Sequence, residues 1–172
     1  MAMNVTSVVA LLIGLVACAI DVRTRRIPNA LTFASAGAAL LFHVTTGGSV
    51  GLLTAAGGWT VGVAIFFVPF ALGGLGGGDI KLLGALGAWL GPTDAVWLAL
   101  YTAVVGGVLA LFVALAHGYL RQALSNIWLL LAHWRVAGVR PLGEVSLAGS
   151  SGPRLAYAVP VFLGTLITIW LR

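Results

Sequence analysis

The sequence predicts an all-α polytopic membrane protein with about six transmembrane helices and one amphipathic helix in the membrane interface. Two observations are compositional: 60% of the residues are apolar, and only 8% are charged. A soluble domain carries about a quarter charged residues and under half apolar ones, so a soluble fold of this length could not bury so much apolar surface. The third observation is that the apolar residues form long segments separated by short polar or glycine-rich stretches.

Six apolar segments are predicted to form the membrane helices of a single integral-membrane domain spanning 1–172. In chain order, the segments are 5–20, 29–44, 50–71, 79–91, 93–116 and 155–171. Gly47 and Gly48 indicate a turn between the second and third segments. The fourth segment gives about 12 residues, or roughly 18 Å of helix, against roughly 30 Å of hydrocarbon. This difference predicts that Asp79, at the start of the segment, lies below the membrane surface.

A different pattern lies between the fifth and sixth segments. Leu124, Ile127, Trp128 and Leu131 recur at helical spacing, with polar side chains on the other faces. This pattern predicts an amphipathic helix lying in the membrane interface. The stretch 136–153 is rich in Gly, Ser and Pro and is predicted to be a loop.

The basic residues predict the orientation of the chain in the membrane. Eight of the nine Lys and Arg residues fall between helices one and two, three and four, or five and six. With an even number of spans these connections share one side, which the positive-inside rule makes cytoplasmic, so both termini face outward. The net charge of +5 therefore indicates membrane topology and a lipid surface as partner, and no nucleic acid.

Two of the four acidic residues carry the chemical interest. Asp94 falls in the first turn of a predicted helix, where a carboxylate complements the helix dipole, and Glu144 falls in the predicted loop. Asp21 and Asp79 each adjoin a long apolar segment on the predicted cytoplasmic side. Acidic groups at membrane depth are usually paired or functional. Two carboxyl groups in one poorly solvated site share a proton and can hydrolyse a peptide bond as aspartic proteases do.

The surroundings of the two aspartates leave a structural alternative open. Asp21 could form an ion pair with Arg23 or Arg25, and Asp79 could cap a helix. The glycines that directly precede Asp79 give a flexible backbone without side chains, to which an extended substrate could hydrogen-bond as an added strand. They could equally form a plain flexible turn.

Two stretches of the chain resemble the motifs of type IV prepilin peptidases. The stretch 21–29 (DVRTRRIPN) looks like the first-aspartate motif of that family, and 76–91 (GGGDIKLLGALGAWLG) resembles its GxGD motif and the following helix. The order of the two motifs and the predicted topology also match, and the C-terminal stretch 157–160 (YAVP) extends the resemblance over nearly the whole chain.

The resemblance implies that Asp21 and Asp79 are the catalytic pair of an intramembrane aspartic endopeptidase. It implies cleavage after the glycine of a short basic leader, next to the hydrophobic helix of a prepilin or pseudopilin, at the cytoplasmic face of a bacterial inner membrane. No metal or organic cofactor is expected. The residues expected to bind the substrate are Gly76, Gly77, Gly78 and Lys81.

The chain departs from the larger members of that family near its N-terminus. Those members carry paired cysteines there and methylate the new pilin N-terminus, whereas here the first helix begins almost at Met1 and Cys18 is the one cysteine. This difference puts methyltransferase activity in doubt, and the short form resembles the peptidases of tight-adherence, or Flp-type, pilus systems. The sequence does not predict an oligomeric state.

Two other functions remain open alternatives. A small proton-coupled transporter could use paired aspartates as a relay, and broken glycine-rich helices also occur in transporters. The arginines that follow Asp21 and the turn at 27–29 favour a position at the membrane interface and disfavour a relay at the midplane. A non-catalytic membrane subunit of a pilus-assembly machine is the second alternative.

Overall fold

The computed structural model describes residues 4–138 and 155–172, and the prediction of an all-α fold is confirmed. Within these ranges the chain consists of helices and short connections, without a strand. The helices are α1 Val5–Thr24, α2 Asn29–Ala71, α3 Gly77–Leu90, α4 Pro92–Ala116, α5 Leu120–Ala137 and α6 Ala158–Leu171.

Three of these helices, α1, α2 and α4, are long and apolar enough to cross a membrane. Helices α3 and α6 are apolar too, but each has 14 residues, or roughly 21 Å of helix against roughly 30 Å of hydrocarbon. The chain is therefore a membrane protein, while the predicted count of six spans is not confirmed.

Helix α2 has 43 residues and is interrupted at Gly48, where φ is 58° and ψ is −136°. The predicted break at Gly47 and Gly48 falls on this kink, because glycine adopts positive φ without a steric cost. The backbone of Gly51 lies directly against the carbonyl group of His43. In a straight helix these two residues would be about 12 Å apart, so the chain reverses direction at the kink and α2 has two limbs.

Helix α3 lies at the centre of the molecule and packs against α1, α2, α4 and α6. Every residue from Leu82 to Trp89 is buried. Its closest neighbour is the second limb of α2, where a Cβ on Gly58 would collide with the carbonyl of Gly87 and one on Gly62 with the carbonyl of Leu83. Small residues at this spacing allow two helix backbones to touch, as is common between membrane helices.

The remaining helices surround this pair. Helix α6 packs against α1 and α4. Gly164 lies close to the backbone of Thr102 in α4, and a Cβ on Gly14 of α1 would lie 3.3 Å from the Phe162 ring. Asp94 lies in the first turn of α4, as the sequence predicts. Its Oδ1 also accepts a hydrogen bond of 2.9 Å from Arg172 Nε, a contact that no pattern in the sequence indicates.

Helix α5 confirms the helix predicted after the fifth apolar segment. The apolar side chains of Leu124, Ile127 and Trp128 are exposed, as they would be on a helix that contacts lipid. The helix continues to Ala137, so residues 136 and 137 are helical where a loop was predicted. The rest of that loop, including Glu144, lies almost entirely outside the described residues.

Candidate active site

Asp21 lies in the last turn of α1 and is buried, with 6% of its surface exposed. The helix ends just beyond it, because Arg25 adopts the left-handed conformation (φ 54°) and donates its N–H to the Asp21 carbonyl oxygen. The Asp21 side chain points away from this turn toward α6, where its Oδ2 accepts a hydrogen bond of 3.2 Å from the N–H of Ala158. The carboxylate is thus held between two helix ends.

Asp79 lies in the first turn of α3 and is partly buried. Its Oδ2 accepts a hydrogen bond of 3.2 Å from the N–H of Gly76, the residue that caps the helix. The helix begins at Gly77, two residues before the predicted start. A carboxylate three residues after the cap can hydrogen-bond back to it, and its charge complements the N-terminal end of the helix dipole, so the motif itself starts the helix.

The two aspartates line one cavity of about 310 Å³. The wall comes from the end of α1, the turn that follows it and the start of α3. The lining residues are Asp21, Arg25, Arg26, Ile27, Gly76, Gly77, Gly78 and Asp79. The fold therefore joins parts of the two motifs, which are far apart in the sequence, in one concave site.

The two carboxyl groups are close enough to interact electrostatically. Asp21 has little contact with water, and Asp79 is only partly exposed. Two like charges at such a position repel each other. An arrangement with one ionised and one protonated carboxyl group can accept a proton and donate another in the same reaction.

Two of the three glycines before Asp79 fit tightly among side chains. A Cβ on Gly76 would lie 2.9 Å from Asp79 Oδ2, and one on Gly78 would lie 3.1 Å from the Cβ of Ile27. Gly76 is extended, but Gly77 and Gly78 belong to α3. Pairing of an extended substrate with these glycines stays a prediction, and of the three only Gly76 has the extended backbone that an added strand needs.

The structure does not bring Lys81 into this cavity. Its Nζ donates a hydrogen bond of 2.9 Å to Asn29 Oδ1 and lies 5.3 Å from the centre of the Phe33 ring. Lys81 thus joins α3 to the first turn of α2. Its predicted role in substrate binding stays a prediction, and the geometry points to a structural contact.

Sequence reasoning missed the contribution of α6 to this site. The stretch 157–160 entered only as part of a family resemblance, and no pattern in it indicates that the N–H of Ala158 reaches Asp21. The contact depends on how α6 packs against α1 and α4, which local sequence does not encode.

Other polar groups lie away from the cavity or make structural contacts. Nε2 of His43 is 3.2 Å from the carbonyl oxygen of Trp89, and the Trp89 indole donates to the Ser35 hydroxyl at 3.2 Å. These bonds tie the first limb of α2 to α3. Within 4–138 and 155–172, no group of three or more His, Cys, Asp and Glu residues could hold a metal ion.

Comparison with known proteins shows which family the chain is similar to. The model of the type IV leader peptidase family matches residues 8–111, which include both aspartates and end before α6. A prepilin leader peptidase/N-methyltransferase of Neisseria gonorrhoeae is 32% identical over 106 residues, covering 58% of this chain and 37% of that protein. The chain thus aligns with little more than a third of that relative's length. No solved structure matches the chain.

Proposed function

The chain belongs to the type IV leader peptidase family, and we propose that it is an aspartic-type endopeptidase that removes the leader from prepilin-like precursors. The observation that carries the proposal is the cavity in which Asp21 of α1 and Asp79 of α3 meet. Their position in one cavity, with Asp21 buried and Asp79 partly buried, favours a shared proton. Such a pair is the catalytic device of aspartic proteases.

Hydrolysis by this pair requires one water molecule and no other reagent. One carboxylate takes a proton from the water as its oxygen attacks the scissile carbonyl carbon, and the protonated carboxyl group donates to the carbonyl oxygen. When the tetrahedral intermediate collapses, one of its two hydroxyl groups returns a proton to the pair as the new carbonyl forms, the C–N bond breaks, and the leaving amine takes a proton from the pair. One proton remains on the two aspartates, so Asp21 and Asp79 return to their starting state.

The start of α3 offers groups that can bind the peptide backbone of the substrate. The first N–H groups of a helix have no acceptor within it, and Gly77 and Gly78 occupy the first two positions of α3. Both residues line the cavity beside Asp79. We therefore infer that their N–H groups donate to a substrate carbonyl.

We infer further that the site faces the cytoplasm from the inner membrane of a bacterium. The cavity is lined by Arg25 and Arg26, and basic residues mark the cytoplasmic side of a membrane protein. We also propose that the chain is a single membrane domain of the Flp-pilus type. The printed name of the gonococcal relative includes methyl transfer, but our proposal is limited to proteolysis, which needs only the two carboxyl groups.

The geometry favours a peptidase over a proton-coupled transporter or an assembly subunit. Asp21 lies in the last turn of α1, directly before the arginines of the following turn, and so at a helix end, whereas a midplane relay would lie within a span. A non-catalytic subunit would have no need for two carboxyl groups in one cavity.

The purified protein, incubated in detergent micelles with a panel of type IV and Flp prepilins, tests the proposal. We expect at least one prepilin to be cut once, after the leader glycine, with the two products identified by mass spectrometry. Lack of cleavage across the panel, combined with proton flux in liposomes that depends on Asp21 and Asp79, would favour the transporter instead.

A further inference from the structure

The N-terminal end of α6 makes a direct contact with one of the two aspartates. Ala158 is the first residue of α6 and is fully buried, and its N–H donates to Asp21 Oδ2. We propose that this first turn of α6 is a third part of the active site and that Tyr157 is its positioning residue. The ring of Tyr157 determines where the Ala158 N–H lies, and the N–H in turn fixes the Asp21 carboxylate.

The Asp21 carboxylate needs such a partner to keep one orientation. It stands at the end of α1, where the following backbone turns away at Arg25, and the short Asp side chain can adopt several staggered positions. The N–H of a first helical residue has no acceptor within its own helix. Its hydrogen bond to Asp21 satisfies a buried donor and selects one position of the carboxylate.

Tyr157 holds the start of α6 against two other helices. Its ring makes an edge contact with Phe66 of α2, with 6.3 Å between the centroids. On the other side the ring fits into a notch of α4 formed by Gly106. A Cβ on Gly106 would lie 3.0 Å from the Tyr157 hydroxyl oxygen and 3.2 Å from two ring carbons. A side chain at residue 106 would therefore require the tyrosine ring to shift by a few tenths of an ångström.

Tyr157 directly precedes Ala158, whose N–H donates to Asp21 Oδ2. The helix that begins here, α6, also contacts α3, the helix that carries Asp79. A displacement of the ring would change the relation between the two carboxyl groups. Misplacement of catalytic groups by about 1 Å can reduce the rate about 10²-fold.

A pair of adjacent glycines in α4 provides a matched test, which rests on the proposed peptidase activity. Gly106→Ala adds a methyl group against Tyr157, whereas a Cβ on Gly107 has no neighbour within 4 Å. Both substitutions improve helix propensity by the same amount, about 1 kcal/mol. We expect Gly106→Ala to lower kcat for prepilin cleavage at least tenfold with KM within twofold of wild type, and Gly107→Ala to leave both constants unchanged.

A second pair of variants keeps the test decisive if Gly106→Ala does not fold. Tyr157→Leu removes the positioning ring, and Tyr101→Leu removes a tyrosine that stacks on Trp97 of the same helix, α4. We expect Tyr157→Leu alone to lower kcat without a matching rise in KM. The double variant Gly106→Ala with Tyr157→Phe, which lacks the hydroxyl nearest the new methyl group, should recover part of the lost kcat.

The outcomes separate this inference from the proposed function. If wild-type protein cleaves prepilin while Gly106→Ala and Tyr157→Leu both keep its kcat, α6 does not position Asp21 and only the inference fails. A fall in activity that merely follows a loss of folded protein, with kcat per folded molecule unchanged, would also overturn it. If the wild-type protein cleaves no prepilin, the proposed function itself fails.

Discussion

Gly76→Ala tests how closely activity depends on the position of one carboxyl group. A Cβ at this residue would lie 2.9 Å from Asp79 Oδ2, whereas ordinary van der Waals contact begins at 3.4 Å. The backbone of Gly76 (φ −78°, ψ 148°) suits any residue, so alanine causes no backbone strain. The added methyl group must instead displace the Asp79 carboxylate by about half an ångström, estimated from ordinary contact distances.

The expected effects on activity and stability have opposite signs. Since a misplacement of 1 Å costs about 10²-fold in rate, half that displacement predicts roughly a tenfold fall in kcat, or about 1.4 kcal/mol of activation free energy. The free energy of unfolding should rise slightly, by about 0.4–1 kcal/mol, because alanine restricts the unfolded chain more than glycine does. A less active but equally or more stable protein would therefore identify a catalytic cause.

The assay is prepilin cleavage at several substrate concentrations, together with thermal unfolding of the same samples. Gly107→Ala is the control, because residue 107 lies in α4 outside the cavity and a Cβ there would have no neighbour within 4 Å. It should gain similar stability and keep the wild-type kcat. A wild-type kcat in Gly76→Ala, or an equal loss in Gly107→Ala, would refute the argument that the missing side chain at residue 76 makes room for the carboxylate.

Three further predictions follow from the packing and the charge pattern. Gly58→Ala should lower the melting temperature, because its Cβ meets the immobile carbonyl of Gly87, at an overpacking cost of about 1–3 kcal/mol. Gly57→Ala should not lower it, and equal melting temperatures for the two variants would contradict the close α2–α3 contact. Gly78→Val should reduce prepilin cleavage far more than Gly47→Val in protein matched for expression, and equal rates would show that residue 78 has room for a side chain. Cysteines placed between α1 and α2 and after α5 should react with an impermeant reagent only from the cytoplasmic side, and labelling from the outside would reverse the topology.

Those parts of the fold that depend on local composition could be predicted from the sequence. Apolar runs predicted the helices, and the two glycines at 47 and 48 predicted the break in α2, because the combination of φ 58° and ψ −136° found at Gly48 suits glycine and no residue with a side chain. Gly48 in this turn is unsuitable as the control position for Gly78→Val, because valine would be strained at its positive φ. Gly47 is the better control position, because a Cβ there would have no neighbour within 4 Å and its φ is not positive.

The candidate site was predictable to the level of its two motifs. The acidic residues beside apolar segments indicated Asp21 and Asp79, and the structure places both on one cavity. The start of α3 at Gly77 could also have been read from the sequence, because an acid three residues after a cap is a known helix-start pattern. The glycine run was instead interpreted only by its flexibility.

Contacts between distant side chains could not be predicted in this way. Lys81 contacts Asn29 and Phe33 in α2, and the N–H of Ala158 donates a hydrogen bond to Asp21. Each of these pairings depends on how whole helices pack, and packing follows from the combined fit of many side chains. A single sequence shows which groups are available for such contacts but not which of them meet.

Cleavage by the two single variants Asp21→Asn and Asp79→Asn tests the central claim most directly. Asparagine keeps the size of aspartate and still offers an oxygen to the N–H groups of Ala158 and Gly76, so folding should be preserved. Asp94→Asn is the control, since that aspartate only pairs with Arg172 in a half-exposed contact, which contributes about 0–1 kcal/mol. The two-aspartate account predicts no detectable processing by either of the first two variants and wild-type processing by the control. Substantial cleavage by folded Asp21→Asn or Asp79→Asn would contradict it.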